Sequence, residues 1–190
     1  MRAVEKISVI HKRSGNIGAF SPFLHTKWGL FPITVFLFSI IFLISSTIRL
    51  DRSFAEEIYA SVSETMKFTG PLDIFVHNLA LSIVMMIPVV GFGFSIISSS
   101  TTGVAVSAIS TINNLDSLSV AARLLATPAG ILEFLAYGLA SAQGLAGLFA
   151  ILEKRFNREL KGYLTTLIIV SSLLLAAAFV ETMSLTEWLE

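Results

Sequence analysis

Residues 28–48, WGLFPITVFLFSIIFLISSTI, form an uncharged run of 21 residues bracketed by Lys27 and Arg49. At about 1.5 Å of rise per residue, a helix of this length crosses a hydrocarbon core of roughly 30 Å. A cleavable leader has an apolar region of roughly 7 to 15 residues and ends at small residues. This run is longer and leads into Leu50, Asp51 and Arg52, so it reads as a retained first span. Pro32 falls in its opening turns, where a missing backbone donor is tolerated.

The remainder of the chain calls for the same solvent. Of its 190 residues, 54% are hydrophobic and 14% charged, with a mean hydropathy of +0.80. An average soluble domain carries about 25% charged residues, and a chain this short cannot hide so much apolar surface from water. The lipid bilayer is the expected partner. Lys plus Arg and Asp plus Glu each number 13, so no basic excess points to nucleic acid. The lack of cysteine excludes disulfides, thiol catalysis and cysteine zinc sites. None of His11, His25 and His77 has a second ligand at metal spacing. No cofactor or metal is expected.

A second apolar stretch, from Ile74 to about Ile112, is too long for one helix and is interrupted by Pro88, Gly91 and Gly93. These residues predict a tight turn between Val89 and Gly93. The expectation is an all-α polytopic membrane protein: a basic segment 1–27, then a single membrane domain 28–190 with five spans near 28–48, 74–90, 92–112, 126–151 and 164–184. The polar residues Glu153 to Gly162 read as a loop between the last two.

Charge placement favours five spans over four, because Lys and Arg gather on the cytoplasmic side of short loops. Five spans put Arg2, Lys6, Lys12, Arg13, Lys27, Lys154, Arg155, Arg158 and Lys161 on one face, against Arg49, Arg52, Lys67 and Arg123 on the other. Reading 74–98 as one helix favours neither face. The amino terminus is therefore expected in the cytoplasm and the carboxyl terminus outside, with Trp28 and Trp188 anchoring opposite interfaces. In the exterior segment 50–70, Phe54, Ile58, Val62 and Met66 recur every four residues while Glu56, Glu57 and Glu64 fall elsewhere. That pattern predicts a short amphipathic helix, ended by Gly70 and Pro71.

Every Lys and Arg falls in a predicted loop, which makes Glu133 conspicuous. Its helix starts with Thr127 as N-cap and Pro128 at the first helical position. The six residues from Thr127 amount to roughly 9 Å of rise, so the carboxyl lies below the interface, where a charge costs about 2.5–3.5 kcal/mol. It must be protonated, hydrogen-bonded, hydrated or bound to a cation. Asn78 and His77 descend from the same outer face, and Asn78 is the candidate partner. Both also read as packing residues, since polar contacts between membrane helices are common.

Glu133, Ala136, Tyr137, Ala140, Gly144 and Gly147 share one helical face, flanked by Ser141 and Gln143, and the glycines admit a second backbone. Glu181, near the outer end of the last span, reads as a boundary residue. Gly91-Phe92-Gly93 lacks the strand and the third glycine of a dinucleotide fingerprint. No nucleophile elbow, Walker sequence or HExxH occurs, so no enzymatic activity is expected.

The stretch Thr127-Pro128-Ala129-Gly130-Ile131-Leu132-Glu133-Phe134-Leu135-Ala136, with the small residues through Gly144, resembles the signature of the stage II sporulation protein M family. In that family a Pro-His-Gly precedes an apolar pair, a Glu and further apolar residues. Phe75, Asn78 and Ala80 are similar to its Asn-bearing second span, Gly91 to Gly103 to its third, and Leu175 to Thr182 to its Ala-rich closing span. The likeness covers roughly residues 68–184. Ala129 stands where the family has His, so any role of that His is absent here or falls to another residue such as His77. The resemblance implies a membrane component; in spore formers the family's named member acts with septal peptidoglycan hydrolases during engulfment, and the family also occurs in organisms that form no spores.

Two functions follow as expectations. The first is a non-enzymatic protein that organises or recruits partners in the membrane plane, as a homo-oligomer or with other membrane proteins. The second is a small transporter or channel with Glu133 as proton or cation site. The cysteine-free chain offers a direct test of orientation. An Asn157→Cys variant is expected to react with an impermeant maleimide only after the membrane is opened, and labelling in intact cells would refute the five-span topology.

Overall fold

The computed structural model describes residues 25–65 and 70–187, with no strand among them. The cationic segment 1–24 with His11, the residues Met66 and Lys67, and the Trp188 anchor lie outside the described residues. Seven helices are described: α1 Lys27–Ser46, α2 Arg52–Thr65, α3 Pro71–Met85, α4 Val90–Ile112, α5 Ser117–Ala126, α6 Pro128–Leu152 and α7 Phe156–Glu187. Four of them, α1, α4, α6 and α7, are long and apolar enough to cross a membrane. The fold is that of an all-α polytopic membrane protein.

Helix α3 was expected as a full span and has 15 residues, about 22 Å of rise against a core of roughly 30 Å. It starts as expected, with Gly70 as N-cap and Pro71 in the first turn. Its end differs from expectation. The turn occupies Met86–Val89, and the positive φ of 71° falls on Val89 rather than on a glycine. With ψ at −53° and Val90 N–H donating to the Pro88 carbonyl at 2.9 Å, Val89 sits at the centre of a γ-turn, a strained conformation for a β-branched residue. Gly91 serves close approach instead, since a methyl there would stand 2.0 Å from the Met85 carbonyl oxygen.

Contacts between helices fix their directions. At one end, His25 Nδ1 and Glu153 Oε1 are 3.0 Å apart, joining the start of α1 to the end of α6. Midway, Thr34 Oγ1 donates to the Gly138 carbonyl at 2.7 Å, so α1 and α6 are antiparallel. Helix α3 runs alongside α6 from Asn78 near Glu133 to Met85 beside Gly144, and Pro88 reaches Gly147. Helix α4 then retraces the path, through Ser95 against Ser141 at 2.5 Å, Ser99 on the Phe38 carbonyl at 2.6 Å, and Ser107 on the Ile48 carbonyl at 2.5 Å. With Gly103, whose added methyl would meet the Phe42 carbonyl oxygen at 2.5 Å, these residues form a stripe of small residues spaced by four. Such a stripe brings membrane helices into backbone contact.

Helix α6 is the centre of the bundle. Ala136, Tyr137, Ala140, Ser141, Gln143, Gly144 and Gly147 are all buried along it. Phe38 and Phe42 of α1 meet Phe134 edge-on, with ring centroids 5.2 Å apart in both pairs, and Val170 and Leu174 close the core from α7.

Three further elements depart from the sequence reading. In α2, Ala55 is 0% exposed while Phe54 is 52% exposed, so the packed face runs through Ala55, Ile58 and Val62; the small side chain lets α2 approach its neighbour. The segment before Thr127 is the helix α5, started by Asp116, which accepts from Ser119 N at 2.8 Å. Helix α7 begins at Phe156 rather than near 164, because Arg155 pairs with Glu159 across one turn at 2.8 Å and carries the helix through the polar residues.

The closest backbone approaches are the sensitive points. Gly144→Ala is expected to lose about 1–3 kcal/mol through overpacking, while Val89→Gly should gain about 1 kcal/mol by relieving the positive φ. Thermal unfolding in detergent micelles measures both.

Candidate functional site

The start of α6 positions the acid. Thr127 Oγ1 accepts from Gly130 N at 3.0 Å and donates to the Leu124 carbonyl at 2.7 Å, locking α5 to α6 with Pro128 in the first turn. Gly130 belongs to the same lock, because a methyl there would stand 2.1 Å from the Leu124 carbonyl oxygen.

One turn beyond, Glu133 Oε1 accepts from Asn78 Nδ2 of α3 at 2.7 Å. Glu181 of α7 lies within electrostatic reach of Glu133, and the buried Tyr137 is near both carboxylates. Three helices thus bring two half-buried carboxylates, a half-buried amide and a buried phenol to the end of the bundle opposite His25. Glu181, expected as a boundary residue, belongs to the cluster. His77 is exposed on α3, beside Asn78. An unbalanced carboxylate at membrane depth costs about 2.5–3.5 kcal/mol, and a proton or a small cation taken up by Glu133 would remove that cost.

Gln143, expected to flank this site, is assigned elsewhere. Ten residues separate it from Glu133, roughly 15 Å along the helix, and it is 0% exposed. Its Oε1 accepts from Thr166 Oγ1 of α7 at 2.9 Å, and Thr166 Oγ1 accepts from Lys27 Nζ of α1 at 2.9 Å. Lys27 also donates to the Gly162 carbonyl at 3.0 Å. The expectation that every basic residue lies in a loop therefore fails: Lys27 opens α1 and reaches inward by its flexible stem, and Arg158 and Lys161 lie within α7. Gln143 Nε2 and the Tyr163 hydroxyl are buried with no hydrogen-bond partner.

Ser141 is drawn to a third place, donating to the Tyr137 carbonyl at 2.8 Å and meeting Ser95. Gly147 packs on Tyr163 and Gly144 on Met85, so both glycines, like Ala140, serve contacts within the chain.

Outside the spans, Arg155 and then His25 hydrogen-bond to Glu153 and hold its carboxyl below the ordinary carboxylate range. This tie between α1 and the α6–α7 loop is present above the unfolded carboxylate pKa and is lost as pH falls through the lower folded value.

No family model, no curated protein and no solved structure matches this chain.

The Asn78–Glu133 pair is open to a double-mutant cycle. With Asn78→Leu and Glu133→Gln, a coupling of about 0.6–1.7 kcal/mol is expected, the range found between membrane helices. Additive unfolding energies would show that the two side chains do not depend on each other.

Proposed function

We propose that this chain is a non-enzymatic multi-pass membrane protein that organises or recruits partners in the plane of the membrane, with its Lys27 end in the cytoplasm. The observation that carries this reading is the closure of the bundle around α6. Val35, Met85 and Tyr163 press on Gly138, Gly144 and Gly147, and the Ser95–Ser141 contact shuts the seam with α4. A body closed in this way acts through its outer surface, where Phe36, Ile44, Val76, Ile97 and Ile168 are exposed. The resemblance of residues 127–136 to the stage II sporulation protein M family supports the same reading, without the sporulation role itself.

A second reading rests on one specific observation, the Glu133–Asn78–Glu181 cluster. There the chain is a small transporter, with Glu133 taking up a proton or cation and Asn78 as its hydrogen-bond partner. Proteoliposomes carrying the parent or Glu133→Gln separate the two. The organiser reading expects proton and sodium flux equal to that of protein-free vesicles for both. Flux by the parent that falls at least about tenfold in the Gln variant, as loss of an essential ionisable group requires, would replace it with the transport reading.

A further inference from the structure

The later turns of α6 and the first turns of α7 gather oxygens around one ammonium. Lys27 Nζ donates to the Gly162 carbonyl at 3.0 Å and to Thr166 Oγ1 at 2.9 Å. Thr166 directs its own hydrogen to Gln143 Oε1 at 2.9 Å, which leaves its lone pairs to the cation. Glu159 completes the set. Its Oε1 accepts from Arg155 Nη1 at 2.8 Å, while Oε2 turns inward: a methyl on Gly162 would stand 3.2 Å from it and 3.4 Å from Gln143 Oε1. Glu159 is within electrostatic reach of Lys27. The Trp28 ring centroid lies 5.3 Å from Nζ, and an aromatic ring also attracts positive charge.

The carbonyl, hydroxyl, amide and carboxylate belong to α6 and α7, whereas the ammonium comes from α1. The oxygens are therefore placed by a helix pair that does not include Lys27. Gln143 is 0% exposed, and its Nε2 is buried with no hydrogen-bond partner. The amide thus presents its oxygen to the cluster while its nitrogen goes unmet, an orientation that suits positive charge. The donor set also selects the kind of cation. Calcium-type sites draw on several carboxylates, and transition metals favour His or Cys, but no three His, Asp or Glu side chains converge among the described residues. One carboxylate with neutral carbonyl and hydroxyl oxygens matches a singly charged ion, whose hydration shell such oxygens replace.

We propose that this oxygen cluster of α6 and α7 is a binding site for a monovalent cation of the potassium and ammonium class, which Lys27 fills as a tethered ligand and by which it fastens the start of α1. Tethering gives the ammonium an effective concentration that free ions do not match, so the parent holds its own lysine. Without that ammonium, the inward Glu159 oxygen and the Gly162 carbonyl stay aimed at a place that only a free cation can fill. The site lies at the opposite end of α6 from Glu133, so it is independent of both functional readings given above.

The full chain carrying Lys27→Met, purified in mild detergent, tests the site by thermal unfolding in potassium, ammonium or choline chloride at equal ionic strength. The parent is expected to unfold at one temperature in all three salts. Lys27→Met should unfold earlier in choline and recover by about 2–4 °C, saturably, in potassium or ammonium. Adding Glu159→Gln to Lys27→Met should abolish the recovery. Lys27→Gln, which removes the charge but keeps a neutral donor for the Gly162 carbonyl, takes its place where the Met variant does not fold. Equal midpoints of the Lys27 variant in the three salts, or a recovery undiminished by Glu159→Gln, would overturn the site. A parent that gains as much from potassium as the variant does would place the ion elsewhere and equally overturn it.

Discussion

Inside a bilayer, helices gain little by turning apolar faces toward one another, because lipid tails are as apolar as leucine. Association then depends on how closely backbones approach and on polar atoms finding partners. Helix α6 meets both demands. Its small residues admit Val35, Met85 and Tyr163 to contact at Gly138, Gly144 and Gly147. Helix α4 repeats the device against α1, with Ser99 and Ser107 adding hydrogen bonds to the Phe38 and Ile48 carbonyls. Cβ-sized volume at these positions is what the rest of the arrangement cannot accommodate.

Polar chemistry at membrane depth is divided between the two ends of α6. Toward its start, the Asn78 amide donates to an acid with a second acid in reach. Toward its end, the Gln143 amide accepts from a hydroxyl that in turn accepts from an ammonium. An amide presents both donors and acceptors, so it suits either sign of charge. The nine residues between Glu133 and Gln143 are Phe, Leu, Ala, Tyr, Gly and Ser packed against neighbouring helices, which keeps acid and base apart and prevents them from neutralising one another.

The α3–α4 hairpin is the irregular part of this design. A 15-residue helix, a γ-turn on a β-branched residue and a stretch of α7 left uncovered by the described residues all meet at Val89 and Pro88. Strain of this kind persists where neighbouring contacts over-determine it, here the Gly91 approach to Met85 and the Pro88 approach to Gly147. The same shortness creates an apolar trough between the turn and α7, so the strained turn and the trough have one cause.

Solvent, element class and several helix starts were settled by local chemistry. Apolar runs of about twenty residues permit little besides helices in lipid, and Thr127 with Pro128, or Gly70 with Pro71, marks a helix start wherever the helix later packs. The short reach of α3, the early start of α7, the helix α5 and the inward face of α2 were not legible, because length and rotation in a bundle are chosen by neighbours. Asn78 and Glu133 could be paired from shared depth, as both enter from one end. Gln143 could not be matched to Thr166 and Lys27, since that match requires knowing the rotation of α6 and the level of α7 together. Sequence by itself determined which runs are apolar enough for a membrane and which polar residues interrupt them; only the tertiary structure decided which partner each of those residues finds, because a hydrogen bond of about 3 Å depends on helix orientation at a scale that one-dimensional periodicity does not carry.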